Sequence, residues 1–203
     1  MTRDSPPAIL QIHRDTLKPG CAAAFTSIEV DAARFCADLK APHPHLAIEA
    51  LTGQGEVWWL NGFESEAEKQ RVYDAYANNR PLMAALAGIG KRRQDVIATD
   101  VDIFASYRAD LSRGAPWTIA GARFFVVTVT KDDDRIEGSV FEAPDGTRFV
   151  FNAARTRDEA EALAANAHPQ TTVFAVRPYW GLPAKEWIAA DPEFWKRLRP
   201  HRA

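Results

Sequence analysis

Only two of the 203 residues are cysteine, and no stretch approaches the roughly 18 consecutive apolar residues that a membrane-crossing helix needs. The start of the chain, MTRDSPPAILQIHRD, also lacks the apolar segment of a signal peptide. A soluble, cytoplasmic protein with no membrane partner is the expectation. Cys21 and Cys36 fall within one predicted helix, about 22 Å apart along its axis, too far to bridge. Two unpaired thiols suit a reducing compartment, packed as small hydrophobes.

Other absences exclude whole classes of function. The 25 basic and 27 acidic residues give a net charge of -2 with no long basic run, so the electrostatic footprint of a nucleic-acid binder is missing. No Cys/His pattern has zinc spacing, no glycine-rich motif would cradle a phosphate, and there is no Gly-x-Ser-x-Gly elbow. Asp132-Asp133-Asp134 lacks the spaced oxygen ligands and the glycine of a calcium loop and reads as a solvated turn. Neither a metal nor a cofactor is expected.

What is present is an ordinary globular composition, 46% hydrophobic and 26% charged. Residues 8–17 read as a strand. A helix follows from Pro19, carrying Phe25, Ile28, Ala32, Phe35 and Leu39 at helical spacing and stopping before Pro42 and Pro44. Strands are predicted at 45–51 and 56–63, separated by a Thr52-Gly53-Gln54-Gly55 turn. Ser65 with Glu68 forms a capping box that opens a helix towards Asn79. A short helical piece at 82–86 and a strand at 96–107 precede a linker at 112–116. The remainder reads as strands at 123–130, 136–142, 147–153 and 173–177, with a helix opened by the Thr156/Glu159 capping box. Trp187, Phe194 and Trp195 sit on short helical segments of a tail expected to pack on the body.

Aligning the two capping boxes superposes Gly55 on Gly146, Trp58 on Phe149, Leu60 on Phe151 and Asn61 on Asn152. The pattern reads as a duplicated strand-strand-helix-strand unit. We therefore expect a first half over residues 8–112, a second and reduced half over 118–180, and a helical tail over 181–203.

The first half resembles the dimeric α+β barrel superfamily, and within it the NIPSNAP-like branch. The likeness rests on LKPG (17–20) after the first strand, Phe25, Thr52-Gly53 and VWWLNGFESEAEK (57–69), and covers residues 8–107. It implies an α+β fold: tandem ferredoxin-like halves forming an intrachain barrel around a pocket. It also implies a spread of functions, from cofactor-free monooxygenases to haem binders to members without known activity. A homodimer is among the assemblies it allows. The turn at 131–135 joins two strands where a full ferredoxin-like repeat inserts a helix, so those strands are expected as antiparallel neighbours.

Alternation places Trp58 with Leu60 on one strand face and Trp59 with Asn61 on the other. Trp58 and Leu60 are expected to face the helices, and Trp59 and Asn61 a cavity between the sheets. By the same rule Gln11 lies with His13, and His45 with Glu49. The expected small-molecule pocket is walled by Trp59 and Phe104 and edged by Gln11, His13, His45, Glu49, Asn61 and, through the repeat, Asn152. Plainer readings pair Glu49 with an arginine and use both asparagines to satisfy strand-end backbone. In a catalytic version, His13 or His45 is the general base and Asn61 the donor to an oxyanion, acting on an aromatic ligand. A non-catalytic binding or assembly module is the alternative. A haem protein is the third, with His13, His43, His45 and His168 as possible axial ligands.

Overall fold

The computed structural model describes residues 5–53, 55–114, 117–132, 136–165 and 167–195. Residues 115 and 116 of the expected linker, and Asp133 and Asp134 of the acidic run, lie outside them. In chain order the elements are β1 (Ile9–Leu17), α1 (Ala22–Asp38), β2 (Leu46–Ala50), β3 (Glu56–Phe63), α2 (Glu66–Asn78), α3 (Arg80–Arg93) and β4 (Ile97–Tyr107). There follow β5 (Phe124–Thr130), β6 (Ser139–Glu142), β7 (Arg148–Ala154), α4 (Arg157–Ala165), β8 (Thr171–Val176), α5 (Lys185–Ala190) and α6 (Pro192–Trp195).

The strands close into one barrel in the order β1-β3-β2-β8-β5-β7-β6-β4, with every neighbouring pair antiparallel. Within the ring, β4-β1-β3-β2 and β8-β5-β7-β6 are the same arrangement twice, the strand order of a ferredoxin-like half. Asn61 and Asn152 occupy matching places, each two residues before the end of the third strand of its half. Both capping boxes form: the Ser65 hydroxyl accepts from Glu68 N–H at 3.2 Å and Thr156 from Glu159 N–H at 3.2 Å. The returning carboxylates accept from Glu64 N–H at 2.6 Å and Arg155 N–H at 2.8 Å.

One expectation about the second half is overturned. β5 and β6 are not antiparallel neighbours, because β7 lies between them and pairs with both. Among the described residues of this crossover there is no helix, and the ring closes with the shorter connection. Closure joins the halves at two seams, β2 with β8 through Ile48↔Val176 and β4 with β6 through Tyr107↔Phe141.

All eight strands send alternate residues into one buried cluster, which is therefore the barrel interior. Trp58 and Leu60 belong to it with Leu10, Phe141, Phe149 and Phe174. Trp58 lies 4.7 Å from Phe174 and 6.0 Å from Phe149, centroid to centroid, so its indole bridges the two halves. Trp187 and Trp195 of the tail join the same cluster. This corrects the facing of β3: Trp58 and Leu60 point into the barrel rather than toward helices, and the space between the sheets is filled by side chains. Trp59 points outward, packing with Phe25 and Ile28 of α1, Ile89 of α3 and Trp180.

Two further expectations shift at the helices. Helix α1 starts at Ala22, with Cys21 as its N-cap, and its buried stripe is Phe25, Ile28, Glu29, Ala32 and Cys36. Phe35 is exposed. The short piece expected at 82–86 is a full helix, α3, begun by Asn79, whose side chain accepts from Leu82 N–H at 3.3 Å.

Candidate functional site

The outward face of β4-β1-β3 is the floor of a cavity of about 430 Å³ that α1, α2 and α3 roof over. The pocket thus lies between one sheet and its helices, not between two sheets as expected. The register fixes its floor in rows. Asp102, His13, Trp59 and Ala47 stand side by side, and Phe104, Gln11 and Asn61 form the next row. Helices supply Glu29 and Cys36 from α1, Tyr73 and Tyr76 from α2, and Ile89 and Arg93 from α3.

Trp180, past the end of β8, closes one end of the cavity by packing edge-on against Phe25 at 5.5 Å. It is held by a backbone bridge in which His45 N–H donates to Leu182 O at 2.9 Å and Leu182 N–H to His45 O at 3.0 Å. Gly181 makes this approach feasible, since a Cβ there would come within 2.6 Å of the His45 carbonyl oxygen.

Of the residues expected at a site, Gln11, His13, His45, Trp59 and Asn61 line this one cavity together. The other three do not line it. Glu49 forms an ion pair with Arg177, the plainer reading. Phe104 lies on the same face but beneath the Lys69 ammonium, 4.7 Å from its ring centroid. Asn152, in the second half, donates from its amide to Glu137 O at 2.7 Å.

A polar cluster missed by sequence reasoning forms one wall. His13 Nε2 lies 3.1 Å from Asp15 Oδ1, and its Nδ1 lies 3.2 Å from Asp102 Oδ1, which also accepts from Gln11 Nε2 at 2.9 Å. Arg93 pairs with Asp15 and places its Nε 3.0 Å from Glu29 Oε1, while its guanidinium carbon lies 4.5 Å from the Trp59 ring centroid. Asp15 and Glu29 are both buried, whereas the Asp102 side chain is 51% exposed. A signal for Glu29 existed: positions 25, 28, 29, 32 and 36 follow one helical stripe, and a charged residue on it marks either an ion pair or a site. Nothing local marks Arg93 or Asp15.

Burial works to lower the His13 pKa, but the hydrogen bond and charge of Asp15, with the charge of Asp102, outweigh it and hold the imidazole above its ordinary value. Burial pushes the Glu29 carboxyl up to about 7 against the pull of Arg93. It pushes His45 down to about 4 and the Cys36 thiol up to about 11. His45 is therefore neutral at pH 7 but a weak base, and Cys36 is an unreactive thiol. His13, oriented by a buried carboxylate on one nitrogen and facing a half-exposed one on the other, is the group able to accept a proton.

No protein-family model and no curated protein sequence matches this chain. Among the described residues, no helix is long and apolar enough to cross a membrane. Solved structures do match. A candidate monooxygenase of Fusobacterium nucleatum aligns over 85% of this chain and 93% of its own, with a TM-score of 0.50 at 9% identity. An anthrone oxidase-like protein aligns over 86% of this chain and 93% of its own, with a TM-score of 0.50 at 10% identity. At such identities the likeness is one of fold: this chain is a mixed α+β protein whose eight-stranded antiparallel barrel is the fold of these monooxygenase-like structures.

Proposed function

We propose that this protein binds an uncharged, planar hydroxyarene in the cavity between the first sheet and α1–α3 and oxidises it with dioxygen, without a cofactor. The observation that carries the reading is the His13–Asp15 pair on the charged wall of a cavity whose other walls include Trp59, Tyr73, Tyr76, Ile89 and Trp180. A ligand hydroxyl replaces the Asp102 carboxylate at His13 Nδ1 and gives up its proton there; Asp15 stabilises the imidazolium. Trp59 packs against the ring, and the Asn61 amide donates to oxygen. The resulting aryloxide is electron-rich enough to reduce dioxygen directly. For 1-naphthol one dioxygen is consumed: one oxygen atom becomes the new ring carbonyl of 1,4-naphthoquinone, and the other leaves as water with the two hydrogens lost from the substrate.

The Arg93 guanidinium at this wall is already engaged by Asp15 and Glu29, and Asp102 lies beside His13, so the wall offers an anionic ligand no ready counter-charge. That favours hydroxyarenes over arene carboxylates and over haem with its propionates. The fold likeness to an anthrone oxidase-like protein supports the reading as analogy. Membership of the NIPSNAP-like branch is proposed on the sequence motifs, and a cytoplasmic setting on the two unpaired thiols Cys21 and Cys36. The barrel closes within one chain, so a homodimer would not be needed to complete it.

The test is titration of the protein with 1-naphthol and 1-naphthoate, read by tryptophan fluorescence, followed by dioxygen consumption. Naphthol should bind at least about tenfold more tightly than naphthoate, a difference of about 1.4 kcal/mol. It should be converted with one dioxygen consumed per quinone. Tight binding without dioxygen uptake would favour a non-catalytic binding module.

A further inference from the structure

Glu29 stands on the apolar stripe of α1, between Ile28 and Ala32, and is almost fully buried. A carboxyl in that position is costly, and a buried ion pair contributes little net stability compared with well-packed apolar groups. Among the described residues its ion-pair partner is Arg93, whose guanidinium is shared with Asp15. The geometry is a chain of four side chains from three elements: Glu29 on α1, Arg93 on α3, then Asp15 and His13 on β1. The guanidinium lies over the Trp59 ring, within reach of both carboxyls.

We propose that Glu29 is a positioning residue for the His13–Asp15 pair, acting through Arg93. By competing for the guanidinium it leaves Asp15 enough uncompensated negative charge to hold a proton on His13. When Glu29 is ionised, Arg93 is divided between two carboxylates and His13 is the stronger base. When Glu29 carries its proton, Arg93 turns wholly to Asp15 and His13 is the weaker base. A proton accepted by His13 from a ligand therefore favours release of the Glu29 proton, because the two sites are linked reciprocally. The Glu29 carboxyl, raised to about 7 by burial, changes state where this matters.

Asp102 of β4 faces the second nitrogen of His13 and accepts a hydrogen bond from Gln11 of β1. Arg92, on α3 near Glu29, is paired with Asp31. Cys36 lies two turns along α1 as a neutral thiol, and Tyr73 and Tyr76 of α2 have raised pKa values and stay neutral. Arg14, on the other face of β1, is paired with Glu56.

This inference rests on His13 being the proton acceptor, yet its test needs no turnover. NMR titration of the His13 imidazole in the unmodified protein should show a second inflection near pH 7, where Glu29 ionises. In Glu29→Gln, which keeps the side-chain volume, that inflection should vanish and the His13 midpoint should fall by about one pH unit. With 1-naphthol, the acid limb of kcat should move down by the same amount while KM changes less than about twofold. A single-site His13 curve in the unmodified protein overturns the proposal even where the variant fails to fold. So does an identical His13 midpoint in a folded variant. Absence of any oxidation, with the His13–Glu29 linkage present, overturns the proposed reaction and leaves this inference standing.

Discussion

His13 and Trp59 face each other across β1 and β3, with ring centroids 5.7 Å apart and planes inclined at 59°. One ring carries the proton chemistry of the cavity and the other its aromatic wall, and both stand on rigid strands rather than loops. Beside them on the same strand, Trp58 faces the opposite way into the barrel.

That opposition separates the two tryptophans by experiment. Trp58→Ala removes a fully buried ring that contacts Phe149, Phe151 and Phe174 of the other half, so it should cost about 3 to 5 kcal/mol. Trp59 borders a cavity and has fewer dispersion contacts to lose, so its removal should cost clearly less stability while weakening hydroxyarene binding. Urea melts of both variants and a 1-naphthol titration check this ordering.

The two asparagines at matching positions should differ in kind. Asn152→Ala loses the hydrogen bond to the Glu137 carbonyl and should cost about 1 kcal/mol of stability with no effect on ligand. Asn61→Ala, inside the cavity, should reduce ligand affinity and leave the melt nearly unchanged. The same melts and titration decide it.

Stability should fall as pH rises through the neutral range. The pKa of Glu29 is raised from 4.5 in the unfolded chain to about 7 in the folded one. Its contribution is therefore fully present below 4.5 and is lost as pH climbs through 7, a change of up to about 3 kcal/mol. His13, also raised, acts in the same direction: its stabilisation is complete below 6.5 and is lost above that as the imidazole deprotonates. Denaturant melts between pH 5 and pH 8 should show Glu29→Gln gaining stability relative to the unmodified protein as pH rises. A constant difference between the two would contradict the assignment.

Gly181→Ala should damage the cavity at a distance from its chemistry. The added Cβ meets the His45 carbonyl, a backbone atom that cannot swing away, so the bridge holding Trp180 must open. A loss of roughly 1 to 3 kcal/mol is expected, with weaker ligand binding, measurable by melt and titration.

The sequence by itself determined the local units. Capping boxes, turn residues and strand alternation are short-range chemistry, and they marked β3 residue for residue and revealed the repeat that relates Asn61 to Asn152. Alternation also states which residues share a face, and of those residues the cavity gathers Gln11, His13, His45, Trp59 and Asn61 but not Glu49. It left open which face is inside, because β3 carries large apolar residues on both faces: it packs Trp58 and Leu60 in the barrel and Trp59 against helices. Only ring closure decided that, through pairings of β2 with β8 and β4 with β6 that no local pattern encodes. The charged wall belongs to the tertiary structure as well. Arg93 and Asp15 are 78 residues apart in sequence, and their meeting depends on α3 crossing the outer face of β1, a packing event rather than a motif.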